Sequence, residues 1–165
     1  MIDMSNKKMS LEDLYSNKVK SSFVYKINKL FTLYKAQTSK YFSIENIGYS
    51  EITTINIIGQ LGGQATLSEI TLVHWIDPGL VSRISKMLEK KGFLKKVQKA
   101  TDKRSNSLIL TDKGKKIFRK IELFNKMRRN KILKNFSPED KNKVIVLLDA
   151  LIAATLSSST EILLT

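Results

Sequence analysis

A chain of 165 residues, 42% hydrophobic and 27% charged, holds apolar material for one ordinary domain, or for a small binding unit plus elements that pair it with a second copy. With no Cys and a single His, disulfides, thiolate metal sites and cysteine redox sensing are excluded, and no metal or other cofactor is expected. The balance of 29 Lys plus Arg against 15 Asp plus Glu, formally +14, calls for a polyanion or an acidic membrane surface as partner.

No run reaches the roughly 18 apolar residues of a bilayer span, because Asp149 interrupts residues 144–156, the longest candidate. Residues 1–9 carry Asp3 and two lysines and lack the apolar core of a secretory signal, so a cytoplasmic location is expected. From residue 11 to 34, Leu11, Leu14, Tyr15, Val19, Phe23, Val24, Ile27, Leu30, Phe31 and Tyr34 recur at threes and fours, which predicts one long amphipathic helix. Its apolar stripe needs a surface to lie on, and a partner subunit is a natural supplier.

After a polar break, Gly48-Tyr49-Ser50 reads as a turn with Ser50 as N-cap. A second helix follows through Ile52, Ile55, Ile58 and Leu61 and ends at Gly62-Gly63. Thr66-Leu67-Ser68-Glu69 has the T-x-x-E form of a capping box and opens a third helix to about His74. Asp77-Pro78 places a cap residue before a Pro in the first helical position, and the fourth helix, with Val81, Ile84, Met87 and Leu88 facing the core, closes at Gly92. Residues 93–97 and 107–110 are short apolar runs around the polar tract 98–106, predicting two strands and a long, basic, exposed hairpin loop. Thr111-Asp112-Lys113-Gly114 opens a helix carrying Ile117, Phe118, Ile121, Phe124 and Met127. Ser137-Pro138-Glu139-Asp140 starts the last helix, continued by Val144, Leu147, Leu148, Leu151 and Ile152 until the serines 157–159 end or fray it.

The positive charge is not spread evenly. Residues 83–134 hold 19 basic and four acidic residues, a surplus of 15 that exceeds the excess of the whole chain. Two helices joined by a short turn, then a basic two-stranded hairpin, match a helix-turn-helix followed by a wing, and this favours double-stranded DNA over a membrane: a helix fits the major groove and a hairpin arm reaches the adjacent minor groove. Thr66 and Ser68 at the start of the third helix, Gly79, Ser82, Arg83 and Lys86 on the outer side of the fourth, and Asp102, Lys103, Arg104 and Ser105 in the hairpin are the candidate DNA-facing residues.

Four short pieces, Val81-Ser82-Arg83, Leu88-Glu89-Lys90-Lys91-Gly92-Phe93-Leu94, Asp102-Lys103-Arg104-Ser105 and Leu110-Thr111-Asp112-Lys113-Gly114, stand in order and at the right spacing. In this the chain resembles the MarR family of transcription regulators. The resemblance implies a mainly α fold with a small β-hairpin wing. Its expected parts are an N-terminal dimerisation helix over residues 1–45, a winged helix-turn-helix lobe over 46–112 and C-terminal dimerisation helices over 113–165. It also implies a homodimer on a pseudo-palindromic operator, acting as a regulator, more often a repressor, with Arg104 entering the minor groove and Asp102 holding it. Many members have Gly where this chain has Trp75, so the turn before the fourth helix is a departure from the pattern. Members of the family often bind small aromatic or anionic effectors, for which Tyr15, Phe23, Tyr41, His74 and Trp75 are the candidates here.

Each signal has a plainer explanation. His74, Trp75 and the N-terminal aromatics read first as core or turn-packing residues. Lys126, Arg128, Arg129, Lys131 and Lys134 read as a solvated helix face, and Asp102 with Arg104 could be an exposed ion pair of little worth. An enzyme is not expected, since the acids of the basic half are scattered singly and no Gly-rich phosphate loop occurs. The alternative function is an RNA-binding or non-sequence-specific nucleic-acid-binding winged helix, against which stands the lack of aromatic residues in the basic hairpin tract.

Overall fold

The computed structural model describes the backbone of residues 21–99 and 102–162 and the side chains of residues 21–97 and 107–158. The chain divides into two compact units, Met1–Lys115 and Lys116–Thr165. The first begins with α1 (Phe23–Tyr41), which departs from the single helix expected over residues 11–34. Ser22 is extended, with ψ near 130°, and stands as the N-cap of α1 without a side-chain hydrogen bond. Residues 11–20 of that expected helix, Tyr15 included, lie outside the described residues. At its other end α1 continues past Tyr34, where Thr38 Oγ1 donates to the Tyr34 carbonyl at 2.9 Å.

A short 3-10 turn (Ser43–Glu45) leads to α2 (Tyr49–Gln60). The N-cap here is Gly48, not Ser50. The Gly48 amide donates to Glu51 Oε2 at 2.8 Å, which moves the helix start two residues upstream, while the Ser50 carbonyl accepts from the Thr53 and Thr54 hydroxyls. Gly62 and Gly63, at φ of 86° and 89°, turn the chain out of α2 as the sequence suggests. β1 (Gln64–Thr66), α3 (Leu67–His74), α4 (Pro78–Lys90), β2 (Leu94–Lys99) and β3 (Asp102–Leu110) follow.

The three strands form an antiparallel sheet in the order β1-β3-β2. The short β1 was not foreseen; it pairs Gln64 with Ile109 and Thr66 with Ser107, and the Leu110 amide donates to the Gly63 carbonyl at 2.9 Å. The hairpin also differs from the long loop expected over 98–106: Gln98 pairs with Asn106 and Lys99 with Asp102, and the register shift between Gln98 and Lys99 leaves residues 103–105 opposite no partner residue on β2. Helices α2, α3 and α4 pack on one another, with β2 against α4 and β3 against α2. Phe42, Ile52, Ile55, Ile58, Ile70, Val81, Leu88, Phe93, Leu94, Leu108 and Leu110 are buried and form the core.

The first unit ends at the start of α5 (Asp112–Ile132). The Gly114 amide donates to Thr111 Oγ1 at 3.1 Å, and Thr111 Oγ1 donates to the Gly92 carbonyl at 2.7 Å. Any Cβ at Gly114 would stand 2.2 Å from the Phe93 carbonyl oxygen, so only glycine lets α5 leave the sheet this closely.

The second unit holds the rest of α5 and α6 (Pro138–Ile162). Ser137 caps α6 by accepting from the Asp140 amide at 3.1 Å. The serine run does not end this helix: Ser157 and Ser158 donate back to the Ala154 and Thr155 carbonyls, and α6 continues through them. Arg128 is no member of a solvated face either, since it is buried, lies 4.6 Å from the Phe124 ring centre and donates to Asn125 Oδ1 at 2.7 Å. Along α6, Ile145, Val146, Leu147, Leu148, Leu151 and Ile152 are exposed. Among the described residues no helix is long and apolar enough to cross a membrane, and no group of three or more His, Asp or Glu is placed to hold a metal.

Candidate nucleic-acid interface

α3, the turn of residues 75–77 and α4 make the helix-turn-helix. The start of α3 is fixed by the expected box: the Glu69 amide donates to Thr66 Oγ1 at 3.2 Å, and the Thr66 amide and hydroxyl donate to Glu69 Oε2 at 2.6 and 2.8 Å. Thr66, a candidate for DNA contact, therefore has its hydroxyl engaged in the cap. Ser68 is exposed on the first turn.

Asp77 starts α4, its carboxylate accepting from the Leu80 amide at 2.9 Å with Pro78 at the first helical position. Gly79 belongs to this cap as well as to the outer surface: a Cβ there would meet Asp77 Oδ1 at 2.9 Å. The inner face of α4 is Val81, Ile84, Ser85 and Leu88, all buried. Met87, expected in the core, is 49% exposed, and Ser85 takes the inward position. The reason is angular: 81, 84, 85 and 88 follow one i, i+3, i+4, i+7 stripe, and 87 lies off it.

Gly79, Arg83 and Lys86 are exposed on the opposite side and Ser82 is half-buried beside them. Lys90, outside the candidates named above, is exposed four residues after Lys86 and seven after Arg83, so the three cations form one stripe along the helix. Among the described residues no ion pair neutralises any of them. Lys95 and Lys96 are exposed on β2. Asp102, Lys103, Arg104 and Ser105 are the first four residues of β3; their side chains lie outside the described ones.

The C-terminal end of α4 is anchored by charge. Lys91 Nζ donates to Glu51 Oε2 and to the Asn46 carbonyl, both at 2.8 Å, and Glu51 is buried at the start of α2. Lys113 Nζ donates to the Lys91 carbonyl at 2.8 Å and stands 4.3 Å from the Phe93 ring centre.

Of the residues named for an effector, Tyr15 lies outside the described residues. Phe23 and Tyr41 are the first and last residues of α1, about 27 Å apart at the rise of an α-helix, and both are exposed. His74 is half-buried and hydrogen-bonded through Nε2 to Thr53 Oγ1 at 3.0 Å, and desolvation holds its pKa below the usual 6.5. Trp75 is no core residue: it is 71% exposed and has left-handed backbone angles, φ 51° and ψ 39°, as the C-cap of α3.

Comparison with known proteins adds three kinds of likeness. Residues 48–105 match the model of the MarR family. The HTH-type transcriptional regulator Hpr of Bacillus licheniformis is 31% identical over 134 residues, covering 74% of this chain, and the matched stretch spans 65% of that protein's length. Among solved structures, a MarR protein from Peptoclostridium difficile superposes with a TM-score of 0.73 at 21% identity, covering 89% of this chain and 92% of its own. A MarR-family regulator of Listeria monocytogenes, described in complex with 26mer DNA, gives 0.75 at 21% identity, covering 81% and 88%. The structural likenesses establish a shared fold, the winged helix.

Proposed function

We propose, from the premise that this chain is a member of the MarR family through the domain its residues 48–105 form, that it binds double-stranded DNA sequence-specifically as a homodimer and regulates transcription, as a repressor on a pseudo-palindromic operator. The observation that carries this reading is α4: one stripe buries Val81, Ile84, Ser85 and Leu88, and the other side offers Gly79, Arg83, Lys86 and Lys90 with no acid paired to them among the described residues. A helix with this division can enter a major groove while its inner face holds it to the lobe. The Listeria relative described with DNA and the relative named a transcriptional regulator support the same reading. Within it the chain is a regulator and not an enzyme.

Dimer formation is supported by apolar side chains left in water: Phe23, Val24, Ile27, Leu30 and Phe31 on α1, and Ile145 to Leu148, Leu151 and Ile152 on α6. The reading includes a small aromatic or anionic effector, which the rings of Phe23 and Tyr41 stand too far apart to bind jointly within one protomer.

Arg83→Ala tests the groove contact. A bidentate base contact predicts a loss on the order of 1 to 3 kcal/mol on the preferred duplex and a smaller one on random duplex. Equal loss on both assigns Arg83 to phosphate, and no loss on either refutes α4 as the reading helix. A preference for single-stranded RNA in the same competition would favour the RNA-binding alternative.

A further inference from the structure

Five described residues have positive φ: Gly62, Gly63, Gly92, Asn46 and Trp75. Glycine carries no penalty there, and asparagine tolerates the left-handed region. Trp75 alone is a bulky residue held in a conformation that its side chain disfavours, at the helix C-terminal position where glycine is the usual occupant. Such strain persists where the surroundings or the function demand it.

The packing does not demand it. Trp75 is 71% exposed, and its neighbours on the last turn of α3, Leu72 and Val73, are exposed too. The indole N–H has no hydrogen-bond partner among the described residues; only the backbone amide is engaged, donating to the Thr71 carbonyl at 3.0 Å. A large amphipathic ring with a free donor thus stands in water at the cost of backbone strain.

Its position supplies the occupant. Trp75 lies two residues before Asp77, the N-cap of α4, so its Cα is within about 7 Å of the end of the helix that carries Gly79, Ser82 and Arg83. When the N-terminal turn of α4 enters a groove, the strand bordering that groove passes beside the turn. We propose that Trp75 is a DNA-backbone contact, its indole N–H donating to a phosphate oxygen and its ring lying on the adjoining deoxyribose at the rim of the groove that α4 enters. This rests on the DNA-binding reading above. The unpaired, exposed cations that follow on α4 suit the same polyanion. Because the contact is to the backbone and the indole is neutral, it adds affinity without sequence preference and without changing the number of counterions released.

Trp75 is the only tryptophan of the chain, so its emission reports this site alone. The full-length protein is titrated with a fluorescein-labelled, mixed-sequence duplex several helical turns long at low salt, following label anisotropy and indole emission together. The free protein is expected to emit as a hydrated indole that acrylamide quenches readily. Saturation with duplex should shift the emission to the blue and reduce quenching severalfold. Trp75→Gly suits φ of 51°, so it keeps or raises stability, yet it should weaken duplex binding about three- to tenfold with an unchanged slope of log affinity against log salt. Trp75→Phe keeps the ring, lacks the donor and should fall between.

Unmoved emission and quenching at full anisotropy change, or a Trp75→Gly protein that binds as tightly as the parent, overturns this proposal and leaves the DNA-binding reading intact. No binding of duplex by the parent overturns both.

Discussion

Removing the charge of Glu51 perturbs the lobe at one well-defined junction. Glu51 is 4% exposed, accepts from the Gly48 amide and from Lys91, and so ties the start of α2 to the residue that follows α4. Gly48 and Lys91 share Oε2, so Glu51→Gln keeps an oxygen that can accept from both but leaves the Lys91 ammonium without its counter-charge. Breaking a buried pair on one side costs roughly 3 to 5 kcal/mol when the remaining charge is dry. The Lys91 side chain is 30% exposed and keeps its bond to the Asn46 carbonyl, so water and that dipole reduce the expected cost to about 2 kcal/mol. At a urea m-value of about 2 kcal/mol/M, the midpoint should fall by about 1 M, with parent and variant compared at one protein concentration. Adding Lys91→Met to the variant removes the stranded charge and should recover part of the loss, a coupling of about 1 kcal/mol in the double-mutant cycle. A midpoint shift below about 0.25 M at unchanged m, with no coupling, would refute the reasoning and place the pair among surface ion pairs.

His74 gives a pH signature: its folded pKa lies below 6.5, so the unfolded chain binds the proton more readily, and stability is full above about pH 6.5 and declines as pH falls below it. Urea midpoints of the parent should drop from about pH 7.5 to about pH 5.5, and those of His74→Gln should stay level; parallel curves would show that His74 is not the titrating group. Gly114→Ala forces a Cβ against the Phe93 carbonyl and should destabilise by at least about 2 to 3 kcal/mol, seen as a melting temperature several degrees lower; an unchanged melting temperature would contradict the close approach. Arg104→Ala should weaken DNA binding most on sites with A·T-rich flanks, where the narrowed minor groove concentrates negative potential, and Asp102→Ala should give a smaller loss of the same kind. Equal losses on A·T-rich and G·C-rich flanks would reduce the wing to a phosphate contact.

The sequence made the helix-turn-helix legible because its punctuation is chemical and local. Thr66 with Glu69, Asp77 with Pro78, and Gly62-Gly63 each fix a helix end within a few residues, and all three act in the structure as read. The failures lie where the deciding partner is distant or the signal is too short. Gly48 caps α2 because Glu51 reaches back to it, a role that the hydroxyl of Ser50 masked in the sequence. β1 is three residues long and exists through its pairing with residues 107–109. Met87 reads as core by type, but α4 turns Ser85 inward in its place. Lys90 was readable from spacing alone, being in line with Arg83 and Lys86. Trp75 was legible in part: standing where many members have Gly, it marks a turn that glycine suits, but nothing local tells whether its ring packs there or stands in water.

The central claim is that two copies of this chain read duplex DNA through α4. The most direct test is to incubate the full-length protein with a random duplex library at near-physiological salt, recover what it retains and sequence it. The account predicts enrichment of an inverted repeat whose half-site centres lie about one helical turn, some 10 base pairs, or a multiple of that apart. A retained pool without a shared sequence, or a single unpaired half-site, would contradict it.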